Sequence, residues 1–131
     1  MSIRIRTITF DAHDPARVAQ FWSELTGYKE DPDDPNLPEH TQWALVDPAG
    51  GTSLLFIKVP EDKTVKNRVH LDLSPVRPAT RDAEVERAVA LGATQVADHR
   101  REDGGGWVVL ADPEGNEFCI ERAGLPRPPG G

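Results

Sequence analysis

Two turn signatures recur at one offset along this chain, and they constrain its fold more than any other feature. Gly27 closes the helical pattern that ends in LTGY, and Gly92 closes the one that ends in ALGA. Asp47 opens DPAG and Asp112 opens DPEG, so both pairs of marks stand 65 residues apart. Each Asp-Pro-x-Gly follows a Trp-led apolar run, WALV from Trp43 and WVVLA from Trp107. Two independent marks at one offset indicate an internal duplication, and two copies point to paired modules rather than a solenoid. With 131 residues the chain has room for one compact domain, or for two small modules sharing a core.

Each half reads as β-α-β-β-β. The first strands are TITF (7–10) and VHLDLS (69–74). Asp14 is a natural N-cap with Pro15 at the first helical position. Val18, Phe21, Trp22 and Leu25 then recur at helical spacing, and Gly27 suits a left-handed C-terminal position. In the second half Thr80 is the candidate cap, Val85, Ala88 and Val89 form the stripe, and Gly92 ends it. A short strand, a Trp-led strand, the Asp-Pro-x-Gly hairpin turn and a last strand complete each unit. Those last strands are SLLFIKV (53–59) and EFCIER (117–122). The expected class is α+β, with one helix covering one sheet face in each half. The expected boundaries are a first module over 1–60, a linker over 61–67, a second module over 68–123 and a disordered tail over 124–131. The Pro- and Asp-rich 30–40 segment and the polar 98–106 segment read as loops. Gly104, Gly105 and Gly106 do not form a phosphate loop, because a strand follows them and the required lysine and hydroxyl are absent.

Alternation then assigns faces. Val69, Leu71 and Leu73 are expected under the second helix, as are Ile8 and Phe10 under the first. Phe118 and Ile120 read as core. With the 65-residue offset carried through, Leu54 and Phe56 become the counterparts of Cys119 and Glu121. The open sheet face is therefore expected to carry Thr7, Thr9, Leu54, Phe56, His70, Asp72, Cys119 and Glu121, with Trp107 at its rim. Two curved sheets presenting such a mixed set would make a half-apolar, cup-shaped cavity, the usual form of a small-molecule site.

Composition removes other classes. Fifteen basic against 22 acidic residues give a formal net charge of −7, and no basic face is present, which argues against nucleic acid. No apolar run approaches the roughly 20 residues of a membrane span, and the N-terminus has no signal-peptide pattern. A single cysteine, Cys119, excludes an intrachain disulfide. The expectation is a cytoplasmic protein.

The duplication closed by DPEGNEFCI resembles the vicinal oxygen chelate superfamily, which includes glyoxalase I, extradiol dioxygenases and the bleomycin- and fosfomycin-resistance proteins. The resemblance runs from about Ile3 to Arg122. KNRVHLDL, GAT and WVVLADPEGNEFC look more narrowly like glyoxalase-like proteins of actinobacteria. The resemblance implies four inward metal-ligand positions, here Thr7, Leu54, His70 and Cys119. Only His70 is a conventional ligand there, so the expectation is no native metal. A divalent metal completed by Asp72 or Glu121 is the lesser reading. The resemblance also implies a homodimer.

Two functions are weighed. The first is a metal-independent binder of an aromatic or amphipathic small molecule, in which filling the cup, for instance at Leu54, weakens binding. The second is a lyase, isomerase or dioxygenase with an unconventional metal, or a metal-free catalyst with His70 as general base and Asp72 or Glu121 beside it. Residues at i and i+2 of a strand are roughly 7 Å apart along the chain, which leaves contact between His70 and Asp72 open. Cys119 is expected to act as a small buried apolar residue rather than a nucleophile. His13, His40 and His99 are expected to be solvated, Trp22 to be core, and Trp43 to pack at the rim or against Trp107.

Overall fold

The computed structural model describes residues 2–123; the expected tail, 124–131, lies outside the described residues. The chain divides into two compact units between Thr64 and Val65.

The first unit contains β1 (Thr7–Ala12), α1 (Pro15–Thr26), β2 (Gln42–Leu45) and β3 (Ser53–Lys58). Its sheet has the order β1-β3-β2, with β1 parallel and β2 antiparallel to β3. Helix α1 starts and stops where its sequence dictates. The Asp14 carboxylate accepts the Arg17 N–H at 3.2 Å, and Pro15 follows at the first helical position. Gly27 takes φ 80° and its N–H donates to the Ser23 carbonyl at 2.8 Å, a conformation that costs glycine nothing. The helix buries Val18, Ala19, Phe21, Trp22 and Leu25. Burial of each large apolar side chain contributes about 1.5–3 kcal/mol. The ring of Phe10 lies 5.4 Å from that of Trp22 and 5.1 Å from that of Phe56, so all three belong to the helix-packed layer.

Two expectations are corrected here. Leu54 and Phe56 are not on the open face. They are register partners of Ile8 and Phe10, and both are buried, with Phe56 fully so. The cause is one residue: Gly51 and Thr52 separate DPAG from Ser53, whereas Asn116 alone separates DPEG from Glu117. A one-residue shift moves every side chain of a strand to the other face. The open-face positions of β3 are Ser53, Leu55 and Ile57, and Leu55 is the counterpart of Cys119. Trp43, opposite Phe56, likewise lies on the helix-packed side rather than at a rim. The second correction concerns the short strand expected after α1, which is reduced to an isolated bridge between Lys29 and Val46. The Pro- and Asp-rich segment that follows cannot donate a continuous ladder.

The second unit contains β4 (Leu71–Leu73), α2 (Arg81–Leu91), β5 (Thr94–Asp98), β6 (Trp107–Ala111) and β7 (Glu117–Glu121), with sheet order β4-β7-β6-β5. Strand β4 runs parallel to β7, and β6 is antiparallel to both neighbours. Thr80 caps α2 by accepting the Ala83 N–H at 3.2 Å. Val85 and Ala88 of α2 are buried, α2 packs on β7, and Val108, Leu110, Phe118 and Ile120 fill the core side of the sheet. Val89 remains 45% exposed and Val69 77% exposed, against expectation. Val69 precedes the strand, because β4 is an edge strand that pairs with only Phe118, Cys119 and Ile120. The DPEGN turn is held by the buried Asp112 carboxylate, which accepts the N–H groups of Glu114 and Asn116, each at 2.9 Å.

Candidate functional site

The open face of the second unit is set by strand register. Asp72 on β4 is the partner of Cys119 on β7, and Cys119 is in turn the partner of Val109 on β6. Trp107 pairs with Glu121 in the same way. Phe118 and Ile120 fill the core side, so their neighbours Glu117, Cys119 and Glu121 must project from the other. His70 sits one residue before β4, and its Nε2 lies 3.2 Å from Asp72 Oδ1. The contact left open by strand spacing is therefore made.

These residues line a pocket of about 380 Å³. Cys119 is buried, whereas the His70 and Asp72 side chains are about half exposed. Burial, then the charge and hydrogen bond of Asp72, then the charge of Glu121 push the Cys119 thiol up to about 11. Such a thiol is protonated near neutrality and is a poor nucleophile, in keeping with the reading of Cys119 as inert.

The rim is held by several contacts. Trp107 is 39% exposed and its ring lies 4.9 Å from that of His99. The His99 N–H donates to the Trp107 carbonyl at 2.8 Å. Gly106, at φ 89°, lets the chain pass against the His99 carbonyl, where a Cβ would overlap. Arg81, at the start of α2, donates to the carbonyls of Gly104, Gly105 and Gly106 at 3.2, 2.7 and 3.3 Å. The triple glycine thus presents carbonyls to an arginine, the reverse of a phosphate cradle.

His70, Asp72, Trp107, Cys119 and Glu121, all of the second-unit residues expected in a pocket, line this one. Thr7 and Thr9 stand on the opposite face of β1 from Phe10, in register with Ser53 and Leu55. Leu54 and Phe56 are in the helix-packed core. Three lining residues were missed: Lys66, Val109 and Glu117. Alternation along β6 and β7 puts Val109 on the face of Trp107 and Glu117 on the face of Cys119, so that signal is present in the sequence. Lys66 lies in a segment with no periodicity. Its Nζ reaches Glu117 Oε2 at 2.9 Å, and the Asn67 N–H donates to Glu117 Oε1 at 3.0 Å.

A metal is the group most strongly implied by the resemblance. The four-position set does not fit: Leu54 is buried on the wrong face, and neither Thr7 nor the true counterpart Leu55 offers imidazole or carboxylate. A different set exists within the second unit. Donor atoms of His70, Asp72 and Cys119 all lie within 4.8 Å of one another. An imidazole nitrogen, a carboxylate oxygen and a sulfur form a donor set that zinc accepts.

A family model described as a glyoxalase-like domain matches residues 7–121. Among curated proteins none matches the chain. Several solved structures share the fold. One is a glyoxalase/bleomycin resistance protein/dioxygenase family enzyme from Burkholderia phytofirmans, with a TM-score of 0.69 at 21% identity, covering 91% of this chain and 98% of that one. A fosfomycin resistance protein from Listeria monocytogenes, solved with manganese(II) and a dihydroxypropylphosphonic acid, gives 0.68 at 15% identity, covering 95% and 93%. The oxidase ChaP-H2 gives 0.59 at 23% identity, covering 99% and 98%.

Proposed function

The chain belongs to the glyoxalase-like domain family, and from that premise we propose that it binds an aromatic or amphipathic small molecule without the four-position metal set of its superfamily. The observation that carries this reading is the 380 Å³ pocket of the second unit. Its size falls in the range of small-molecule sites, and its lining combines apolar surface with a few polar anchors. Trp107 and Val109 offer flat and aliphatic contact, while His70, Asp72 and Glu121 offer hydrogen bonds and charge. The reading takes the protein as a cytoplasmic homodimer; exposed Val65, Val69 and Val76 in the second unit are apolar surface of the kind a second copy covers.

The test uses protein held in a chelator and a panel of aromatic acids, amines and phenols, followed by ligand-observed NMR. Saturable binding that Val109→Trp abolishes, with the circular dichroism unchanged, supports the proposal. Binding that is indifferent to Val109→Trp places the ligand elsewhere and ends it.

One observation favours catalysis as a second reading. The Asp72 carboxylate holds Nε2 of His70, leaving Nδ1 to take a proton from a bound substrate. Turnover of a bound compound that His70→Ala abolishes while binding persists would establish the enzyme. Binding without any product in either protein would leave the binder.

A further inference from the structure

We propose that His70, Asp72 and Cys119 form a binding site for a thiophilic divalent cation, with zinc the best match, built wholly within the second unit. The site shares the pocket of the proposed function but does not depend on any organic ligand occupying it. It keeps the two second-unit positions of the superfamily set, His70 and Cys119, and takes Asp72 as the third donor in place of the first-unit positions.

Geometry supports the set. Nitrogen and oxygen ligands at about 2.0–2.1 Å from a tetrahedral zinc ion lie roughly 3.3 Å apart. His70 Nε2 and Asp72 Oδ1 are separated by 3.2 Å. The three donor atoms fall within 4.8 Å of one another, against roughly 3.3–3.6 Å around a tetrahedral zinc. Binding therefore requires the half-exposed His70 and Asp72 side chains to turn toward the sulfur. Asp72 and Cys119 are ladder partners on adjacent parallel strands, so two of the three donors are carried by rigid backbone.

Donor chemistry selects the cation. Magnesium and calcium take oxygen ligands, and a buried sulfur offers them little. Zinc takes sulfur, nitrogen and carboxylate together, and three protein ligands with an open fourth position is its usual catalytic arrangement. That fourth position would face the pocket. The lining also carries the carboxylates of Glu117 and Glu121, with Lys66 paired to Glu117, so the local field favours a cation. Binding would displace the thiol proton to solvent and leave the sulfur as thiolate on the ion.

The experiment titrates cobalt(II) alone into chelator-stripped protein, then displaces it with zinc. Expected is one equivalent of cobalt with a thiolate-to-cobalt charge-transfer band and intense visible bands of a tetrahedral ion, all removed by zinc. Cys119→Ser should erase the charge-transfer band. His70→Ala and Asp72→Asn should weaken binding at least tenfold, and His40→Ala should leave it unchanged. His70 and Asp72 are half exposed, so those two variants keep the fold and decide the matter even if Cys119→Ser does not. Absence of the band in wild-type protein, or cobalt binding that Asp72→Asn leaves intact, overturns the site. The organic-ligand screen runs in chelator and this titration without organic ligand, so either proposal can fail while the other stands.

Discussion

Asp72 and Cys119 are register partners across β4 and β7, and an Asp72 carboxylate oxygen lies within 4.8 Å of the Cys119 sulfur. Burial is the main cause of that thiol's raised pKa, and Asp72 is the second. Replacing Asp72 with Asn removes a negative charge and a carboxylate acceptor but leaves burial in place. The thiol pKa should fall from about 11, and each unit lost raises the thiolate fraction near neutrality about tenfold. Alkylation by iodoacetamide, followed by intact mass between pH 7 and 11, should be slow in the native wild type until the upper end. The Asp72→Asn profile should shift to lower pH. Superimposable profiles would show that the carboxylate does not act on the sulfur.

What the sequence made legible, and what it hid, follows from that ladder. Caps are local chemistry, so Asp14, Gly27 and Thr80 could be read directly. Faces within one strand obey a period of two, which placed Asp72, Cys119 and Glu121 on one side. Faces compared between the halves depend on counting, and one extra residue before Ser53 sent Leu54 and Phe56 to the wrong side. Alternation of hydrophobicity could not reveal it, because Leu54, Leu55, Phe56 and Ile57 are all apolar. The His70–Asp72 contact was hidden for another reason. It depends on His70 leaving the strand before β4 begins, a matter of edge pairing that no residue pattern encodes.

The face correction has a direct consequence. Leu54→Trp should overpack the α1-facing core and cost about 1–3 kcal/mol, and Phe56→Ala should cost about 3–5 kcal/mol. Leu55→Trp, on the open side and half-buried, should be tolerated within about 0.5 kcal/mol. Urea unfolding of the three variants checks this. Equal costs for Leu54→Trp and Leu55→Trp would contradict the β1–β3 register.

Arg81 ties the glycine loop to the start of α2, and only 10% of its side chain is exposed. Arg81→Met keeps the aliphatic stem but removes every donor to the Gly104, Gly105 and Gly106 carbonyls. The expected cost is about 1–3 kcal/mol, with faster amide exchange at Gly105 and Trp107 and weaker nuclear Overhauser contacts between His99 and Trp107. Unchanged exchange in this loop would mean that the glycine turns hold Trp107 without the arginine.

The Cys119 thiol also gives stability a pH dependence whose sign is determined. Its ordinary pKa of 9.0 applies to the unfolded chain, and the folded value is about 11. Between those values the native chain holds a proton that the unfolded chain has lost, so the contribution is full below pH 9 and disappears as pH rises through the folded value. The loss is at most roughly 2–3 kcal/mol for a shift of this size. Tyr28 acts with the same sign, since burial and then Asp47 raise its phenol above 10.0, so the wild-type slope alone cannot be assigned. Cys119→Ala removes one contributor and keeps the other. Denaturant unfolding at pH 8 and pH 10.5 should show a smaller loss of stability in Cys119→Ala than in wild type, and equal losses in the two would mean that the fold does not raise the thiol pKa.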